Sequence, residues 1–244
     1  MREEAIDIDK QKLREDVYSA IFGKLMPIEI SQELIDYIVK SDFFYRNYTV
    51  EATVVEREPQ SGYTRECLEL DLVSKYEIYN PSNDLQTYDL NMSSFNVDMG
   101  SEVPPTVIKN VLVMDSNEKV IAQKSGDELV SSVIAPDKTE IILKDKYDIP
   151  SNSFITVRVS KTAYLRRQKD HYMISITRPT INMTVKFKFP NANYELKCRH
   201  YRPGKEKGGR FVSNLIRGEN LIEARAIGGL LPYQGVQIVH AYKP

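Results

Sequence analysis

Two basic segments are the parts of this sequence best suited to binding chemistry. They read "KTAYLRRQKDHY" at residues 161–172 and "ELKCRHYRPGKEKGGR" at residues 195–210. Arginine forks bind phosphate oxygens through paired hydrogen bonds, tyrosine rings stack on bases, and a glycine-rich turn exposes backbone N–H groups to an anion. Together the segments predict a site for a phosphate or another anion, formed by Arg166, Arg167, Lys169, Lys197, Arg199, Arg202, Lys205 and Arg210.

The same segments have a purely structural interpretation, which the sequence leaves open. A basic hairpin tip commonly keeps the end of a sheet soluble and prevents edge-to-edge aggregation. One flexible basic loop would hold an anion weakly, because few charge-assisted contacts would form. A phosphate site therefore requires the two segments to converge, with Arg166 or Arg167 within one ligand's breadth of Arg199 or Arg202.

The sequence contains none of the common catalytic signatures. It has no GxxxxGK[ST], GxGxxG, GxSxG or HExxH pattern, which argues against the usual NTPase, dinucleotide-binding, α/β-hydrolase and zinc-protease designs. His171, His200 and His240 have no metal-ligand spacing, and Cys67 and Cys198 form no CxxC pair. We therefore assign no catalytic residue and expect neither a metal nor a cofactor.

The charge balance and the distribution of apolar residues limit which partners and which cellular location we expect. Lys and Arg number 33 against 34 Asp and Glu, a formal net charge of −1. A duplex-binding protein usually has a clear basic excess, so we expect no duplex nucleic acid as a partner. No run of 18 apolar residues predicts a transmembrane segment. The charged start "MREEAIDIDK" lacks the apolar core of a signal peptide and, with only two distant cysteines, favours a cytoplasmic protein.

The first part of the chain has the periodicity of helices. Leu13, Val17 and Ile21 recur every four residues, Pro27 ends that pattern, and Ser31 is placed as the N-cap of a second helix. Neither helix is long enough to be stable alone. We therefore predict a two-helix segment over residues 1–44 that docks on the remaining chain or on a second copy.

From about Tyr48 the period changes from near four to two. In "CLELDLVSKYEIY" an apolar face alternates with a charged face, and "NMTVKFKF" repeats the pattern. "NYELKCRHY" follows after the turn at residues 190–193, which predicts a hairpin. Many strands without interleaved helices indicate a mainly β protein, and we predict an antiparallel β-sandwich, Ig-like or related, over residues 45–244. A subdivision near 145–152 is the alternative.

The end of the chain, "AIGGLLPYQGVQIVHAYKP", contains an apolar turn between two strands. It is similar to the endings of bacterial β-rich proteins, and we transfer no function from so short a motif. If exposed, this turn would be a contact patch for a partner; the alternative is that it closes the end of the sandwich. With the helical stripe, the predicted interaction patch comprises Leu13, Val17, Ile21, Leu230, Leu231 and Tyr233.

These observations favour a binding function over catalysis. We expect a non-enzymatic cytoplasmic binding or interaction module, part of a multi-protein bacterial system, that binds a protein partner or self-associates. The alternative is a sensor of a phosphate-bearing small molecule, such as a nucleotide or cyclic nucleotide second messenger, bound between the two basic segments. An unfamiliar hydrolase is the least favoured class.

Overall fold

The computed structural model describes residues 42–58, 66–90, 92–95, 106–126, 129, 131–135, 138–141, 145–201, 211–216, 219–226, 229–230 and 234–243. All of them except Asp42 belong to one compact unit, Phe43–Pro244. The predicted N-terminal helices lie outside the described residues. The described part is mainly β and contains no α-helix. Accordingly, none of its elements is a helix able to cross a membrane.

The described residues form seventeen strands. In chain order they are β1 (Phe44–Arg57), β2 (Cys67–Tyr79), β3 (Gln86–Asp89), β4 (Met92–Phe95), β5 (Val107–Met114), β6 (Val120–Ser125), β7 (Ser131–Ala135), β8 (Lys138–Ile141), β9 (Lys146–Ile149), β10 (Phe154–Arg166), β11 (Lys169–Ser175), β12 (Thr180–Lys188), β13 (Tyr194–Tyr201), β14 (Phe211–Ile216), β15 (Leu221–Ala226), β16 (Gly229–Leu230) and β17 (Gly235–Tyr242).

These strands assemble into four sheets. The main sheet has nine strands in the order β14-β15-β12-β1-β2-β10-β5-β6, with β16 also paired to β12. A three-stranded sheet has the order β11-β17-β13, a second has the order β4-β8-β7, and β3 pairs with β9. Among the described residues, β14 and β6 are thus the two edges of the main sheet.

The predicted antiparallel arrangement is wrong for one central pair. β1 and β12 run parallel, with Val50 beside Val185, whereas the other described pairs are antiparallel. A parallel pair needs a long crossover connection. The chain between β1 and β12 provides it, because it forms the ten strands β2 to β11. Alternation of apolar and polar residues is the same in both pairings, so the sequence could not distinguish them.

The predicted hairpin between residues 183–189 and 194–201 is also wrong. β12 belongs to the main sheet, and β13 pairs with β17 in the three-stranded sheet. The turn at 190–193 carries the chain from one sheet to the other. Phe189 and Tyr194, which flank it, are both buried, with ring centroids 5.7 Å apart. Both ends of the turn are buried between the two sheets, which explains why the chain passes from one sheet to the other there.

One face of the long central strands carries two separate apolar cores. The even-numbered residues of β2 from Leu68 to Ile78 are all buried and share that face. Around Leu68, Leu70 and Leu72 the face packs against the sheet β11-β17-β13 in a first core, which contains Phe187, Leu196 and Ile238. Around Tyr76 and Ile78 it forms a second core with Tyr88, Val113, Ile149 and Val157.

The opposite face of the central strands is charged. It carries the ion pairs Arg46–Glu77 at 2.9 Å, Arg57–Glu69 at 3.2 Å and Lys109–Asp71 at 2.8 Å. Such partly exposed pairs contribute little to the free energy of folding. The two cores therefore supply most of the stability of the described part, and the charged face keeps the sheet hydrated.

Candidate functional site

The first predicted basic segment lies at the end of β10, in a two-residue turn and at the start of β11. Arg167, in the turn, forms ion pairs with Glu66 and with Glu56, the latter at 3.1 Å, and lies over the Tyr242 ring at 4.7 Å. The backbone N–H of Arg166 donates to Asp170 at 3.0 Å, and Lys169 is exposed. An anion at Arg167 would therefore have to compete with two carboxylates already bound there.

Glu56 is the centre of a polar cluster that fixes this turn. Its carboxylate accepts hydrogen bonds from the Tyr194 hydroxyl at 2.7 Å, from Asn191 Nδ2 at 3.1 Å and from Arg167. The hydrogen bond from Tyr194 holds the pKa of Glu56 below its usual range, with Asn191 and Arg167 acting in the same direction against a partial burial. The carboxylate is therefore ionised near neutrality and joins β1 to two turns. This arrangement is that of a structural cluster.

The second basic segment is only partly described. Lys197 forms an ion pair with Glu195 at 3.0 Å, and Arg199 is exposed opposite Gln237 of β17. Arg202, Lys205 and Arg210 lie outside the described residues. Because Tyr242 donates its backbone N–H to Gln168, the turn containing Arg167 lies at the other end of β17 from Arg199. Along β17, Gln237 and Tyr242 are five residues apart, which corresponds to roughly 17 Å.

The convergence of Arg166 or Arg167 with Arg199 or Arg202 stays a prediction. A phosphate site shared with Arg202, Lys205 and Arg210 stays a prediction.

Of the interaction patch, Leu230 is buried in the first core because β16 pairs with β12, so its side chain is not available at the surface. Leu13, Val17, Ile21, Leu231 and Tyr233 lie outside the described residues.

His240 is fully buried beside the first basic segment. Its Nε2 atom lies 2.8 Å from the carbonyl oxygen of Arg166, and its ring packs against Phe189 and Tyr194 at 5.8 and 5.9 Å. Nδ1 has no hydrogen-bond partner among the described residues. Burial lowers the pKa of His240 below its usual value, despite the favourable backbone carbonyl. The geometry is that of a neutral imidazole that donates from Nε2.

We expect His240 to make stability depend on pH. Its pKa in the folded state lies below the ordinary value near 6.5, so the unfolded chain binds the proton first as the pH falls. The free energy of unfolding should be highest above about pH 7.5. It should decrease as the pH falls through 6.5, by at most about 1.4 kcal/mol at pH 5.5.

Urea unfolding at pH 7.5 and 5.5 tests this expectation. His240→Gln should be less stable than the wild type at pH 7.5 but should lose less stability between the two pH values. His171→Asn is the matched control, since His171 is exposed, and it should retain the wild-type pH dependence. An unchanged pH dependence in His240→Gln would contradict the assignment.

A polar seam separates the two apolar cores on the inner face of the central strands. On β2 the inward series is interrupted at Ser74, and on β10 it is interrupted at Lys161. Val159 pairs with Ser74 and Lys161 with Leu72, so the two polar residues are diagonal neighbours. Tyr48 lies in hydrogen-bonding range of Ser74 and packs against both cores. Lys161 Nζ lies 5.6 Å from the centre of the Tyr172 ring.

This polar seam consists of Tyr48, Ser74, Lys161 and Tyr172. The sequence placed Lys161 and Tyr172 in the first basic segment but did not connect them with Tyr48 and Ser74. The signal that could have identified the seam is the position of its residues in the apolar–polar alternation of the strands. Ser74 occupies an apolar position in "CLELDLVSKYEIY", and Lys161 does so in "FITVRVSKTAYLR". Only the pairing of β2 with β10 shows that the two interruptions coincide.

The described residues contain no group of three or more His, Cys, Asp or Glu side chains placed to hold a metal ion. Comparison with known proteins assigns no role to these residues. No protein family matches the chain, and no curated protein matches its sequence.

Two solved structures are similar at low identity. A candidate protease from Parabacteroides distasonis is 11% identical with a TM-score of 0.45, and the match covers 83% of this chain and 41% of that one. A candidate nutrient-binding protein from Legionella pneumophila is 10% identical with a TM-score of 0.44, over 81% of this chain and 67% of that one. The chain thus spans less than half of the first of these proteins.

Proposed function

We propose that this chain is a non-enzymatic interaction module that self-associates by pairing β14 with β14 of a second copy. The observation that supports this proposal is the edge position of β14 in the main sheet. An edge strand presents a row of backbone N–H and C=O groups that can pair with another strand, and natural proteins usually protect such edges with charges, prolines or short lengths. β14 has none of these protections within its six residues.

Three of the exposed side chains of β14 are apolar. Val212 is 48% exposed, Leu215 42% and Ile216 38%. Isolated exposed apolar residues are common, but Val212 and Ile216 share one face of the edge strand and form an apolar strip there, whereas Leu215 lies on the other face. Removing this strip from water would stabilise a strand pair in addition to the backbone hydrogen bonds.

The sequence of β14 suggests which partner fits. One face of "FVSNLI" carries Val212, Asn214 and Ile216, an apolar, polar, apolar series that is the same in both directions. In an antiparallel pair centred on Asn214, Val212 faces Ile216 of the second copy, and Asn214 faces Asn214 of the second copy. A twofold interface requires this kind of self-complementarity. Arg210 and Arg217, which flank β14 in the sequence, are like charges. Added salt should therefore favour the association by screening them.

Sedimentation velocity over a concentration series tests the proposal. Wild-type protein should form a dimer, and Val212→Lys should raise the dimer dissociation constant by roughly tenfold or more, because each dimer contains the substitution twice and lysine on an edge strand disfavours pairing.

The matched control is Val120→Lys on β6, the opposite edge, where Val120 is 50% exposed. This control should dimerise like the wild type. A wild type that stays monomeric at all concentrations, or a dimer insensitive to Val212→Lys, would contradict the proposal.

Three finer assignments remain part of this proposal. They are an Ig-like or related sandwich as the fold, a cytoplasmic location, and membership of a multi-protein bacterial system. The face-to-face packing of the sheet β11-β17-β13 on the main sheet in the first core supports the first of them. The other two rest on the sequence analysis.

A further inference from the structure

We propose that the polar seam binds a small organic anion, with Lys161 as the residue that recognises its charge. The anionic group is a phosphate monoester or a carboxylate, and the body of the ligand is planar and apolar. This inference does not depend on self-association through β14, because β14 contributes no residue to the seam.

Lys161 lies on the inner face of β10, between residues of the two cores. Along β10, Ile155, Val157 and Val159 contribute to the second core, and Ala163 and Leu165 contribute to the first. Lys161 shares their face and lies between them. A lysine on the inner face of a sheet is rare, because an ammonium group taken out of water loses hydration energy.

The ammonium group of Lys161 lies near an aromatic ring rather than a carboxylate. Lys161 is only half-buried, and no carboxylate of the described residues forms an ion pair with it. Its described contact is the Tyr172 ring at 5.6 Å, a cation–π distance. By contrast, Lys186 and Lys197 each have a carboxylate within 3.4 Å. Lys161 thus has a charge that a ligand can neutralise.

The neighbours of Lys161 determine the chemistry of that ligand. Ser74 is the diagonal neighbour of Lys161, and Tyr48 lies in hydrogen-bonding range of Ser74, so two hydroxyl groups lie on the same face of the sheet as Lys161. Tyr48 stacks on Tyr76, with ring centroids 5.1 Å apart and planes inclined by 11°. A cation beside the Tyr172 ring, with two hydroxyl groups on the same face, suits an anionic head on a planar apolar body.

The seam also differs from the two basic segments that the sequence singled out. Arg167 is paired with Glu56 and Glu66, and Lys197 is paired with Glu195. Lys169 is exposed on the three-stranded sheet, where it pairs in register with Ala241. Substitutions of Lys161 and Lys169 can therefore distinguish the seam from the basic segments.

Calorimetric titration with three probes tests the inference. Phenyl phosphate and benzoate carry the two candidate anionic groups on an aromatic body, and inorganic phosphate carries the charge alone. The wild type should bind phenyl phosphate or benzoate saturably and more tightly than inorganic phosphate. Lys161→Met keeps the apolar stem and should weaken binding of the aromatic probe by roughly ten- to a hundredfold, since it removes a charge-assisted contact.

Two control variants complete the experiment. Lys161→Arg keeps a cation and should bind more tightly than Lys161→Met, and Lys169→Met should bind like the wild type. The chain has no tryptophan, so a change in tyrosine fluorescence on binding gives a second readout. The inference is overturned if no probe binds saturably, or if Lys161→Met binds like the wild type. Equal weakening by Lys169→Met would assign the anion to the basic segment instead.

Discussion

Replacing Gly235 with alanine should lower the free energy of unfolding by at least about 3 kcal/mol or prevent folding. A Cβ atom at this position would lie 1.8 Å from the carbonyl oxygen of Ile174 and 2.9 Å from its carbonyl carbon. Both are backbone atoms of the adjacent strand β11, so no rotation of a side chain relieves the clash. The substitution would force β11 away from β17 and open the first core beneath them.

Gly229→Ala is the matched control for this expectation. A Cβ atom at Gly229 meets no heavy atom within 4 Å, and the residue is exposed. Alanine there should be neutral or stabilise the protein by up to about 1 kcal/mol, since it restricts the unfolded chain. Chemical unfolding of both variants measures the difference. Equal stability of Gly235→Ala and Gly229→Ala would show that β11 and β17 do not approach as closely as described.

Phe187→Ala should cost about 3–5 kcal/mol of folding stability. Phe187 is fully buried in the first core, and its ring lies 5.7 Å from that of Tyr172. Truncation removes apolar area from the core and leaves a cavity between the two sheets, because flanking strands are held in register by backbone hydrogen bonds.

The neighbouring residue provides the control for Phe187. Lys188→Ala changes an exposed side chain on the opposite face of the same strand, so stability should stay within about 0.5 kcal/mol of the wild type. Urea unfolding of the two variants gives the comparison. A loss below about 1 kcal/mol for Phe187→Ala would contradict the assignment of this face of β12 to the core.

Strand positions and faces were predictable because they depend on local alternation. The inward phase of Leu68, Leu70, Leu72, Tyr76 and Ile78 is confirmed by their burial. Which strands pair depends on contacts between distant residues, and alternation carries no information about it. The corner at 190–193 and the parallel pair β1–β12 were therefore missed.

The candidate sites were likewise only partly predictable from the sequence. The sequence identified Arg167 as a cationic residue, but its two carboxylate partners, Glu66 and Glu56, lie 101 and 111 residues away along the chain. Lys161 belonged to the same basic segment, and its inward orientation follows from the burial of its strand neighbours. Charge could be read from the sequence, whereas the surroundings of each charge required the fold.

Hydrogen–deuterium exchange at several protein concentrations tests the central claim, self-association through β14, most directly. Backbone amides on the free edge of β14 are open to water in a monomer and hydrogen-bonded in a strand-paired dimer. We expect exchange in residues 211–216 to slow as concentration rises, while exchange in Val120–Ser125 of β6 does not change. Exchange in β14 that is independent of concentration while the protein dimerises, or slowing confined to β6, would contradict this claim.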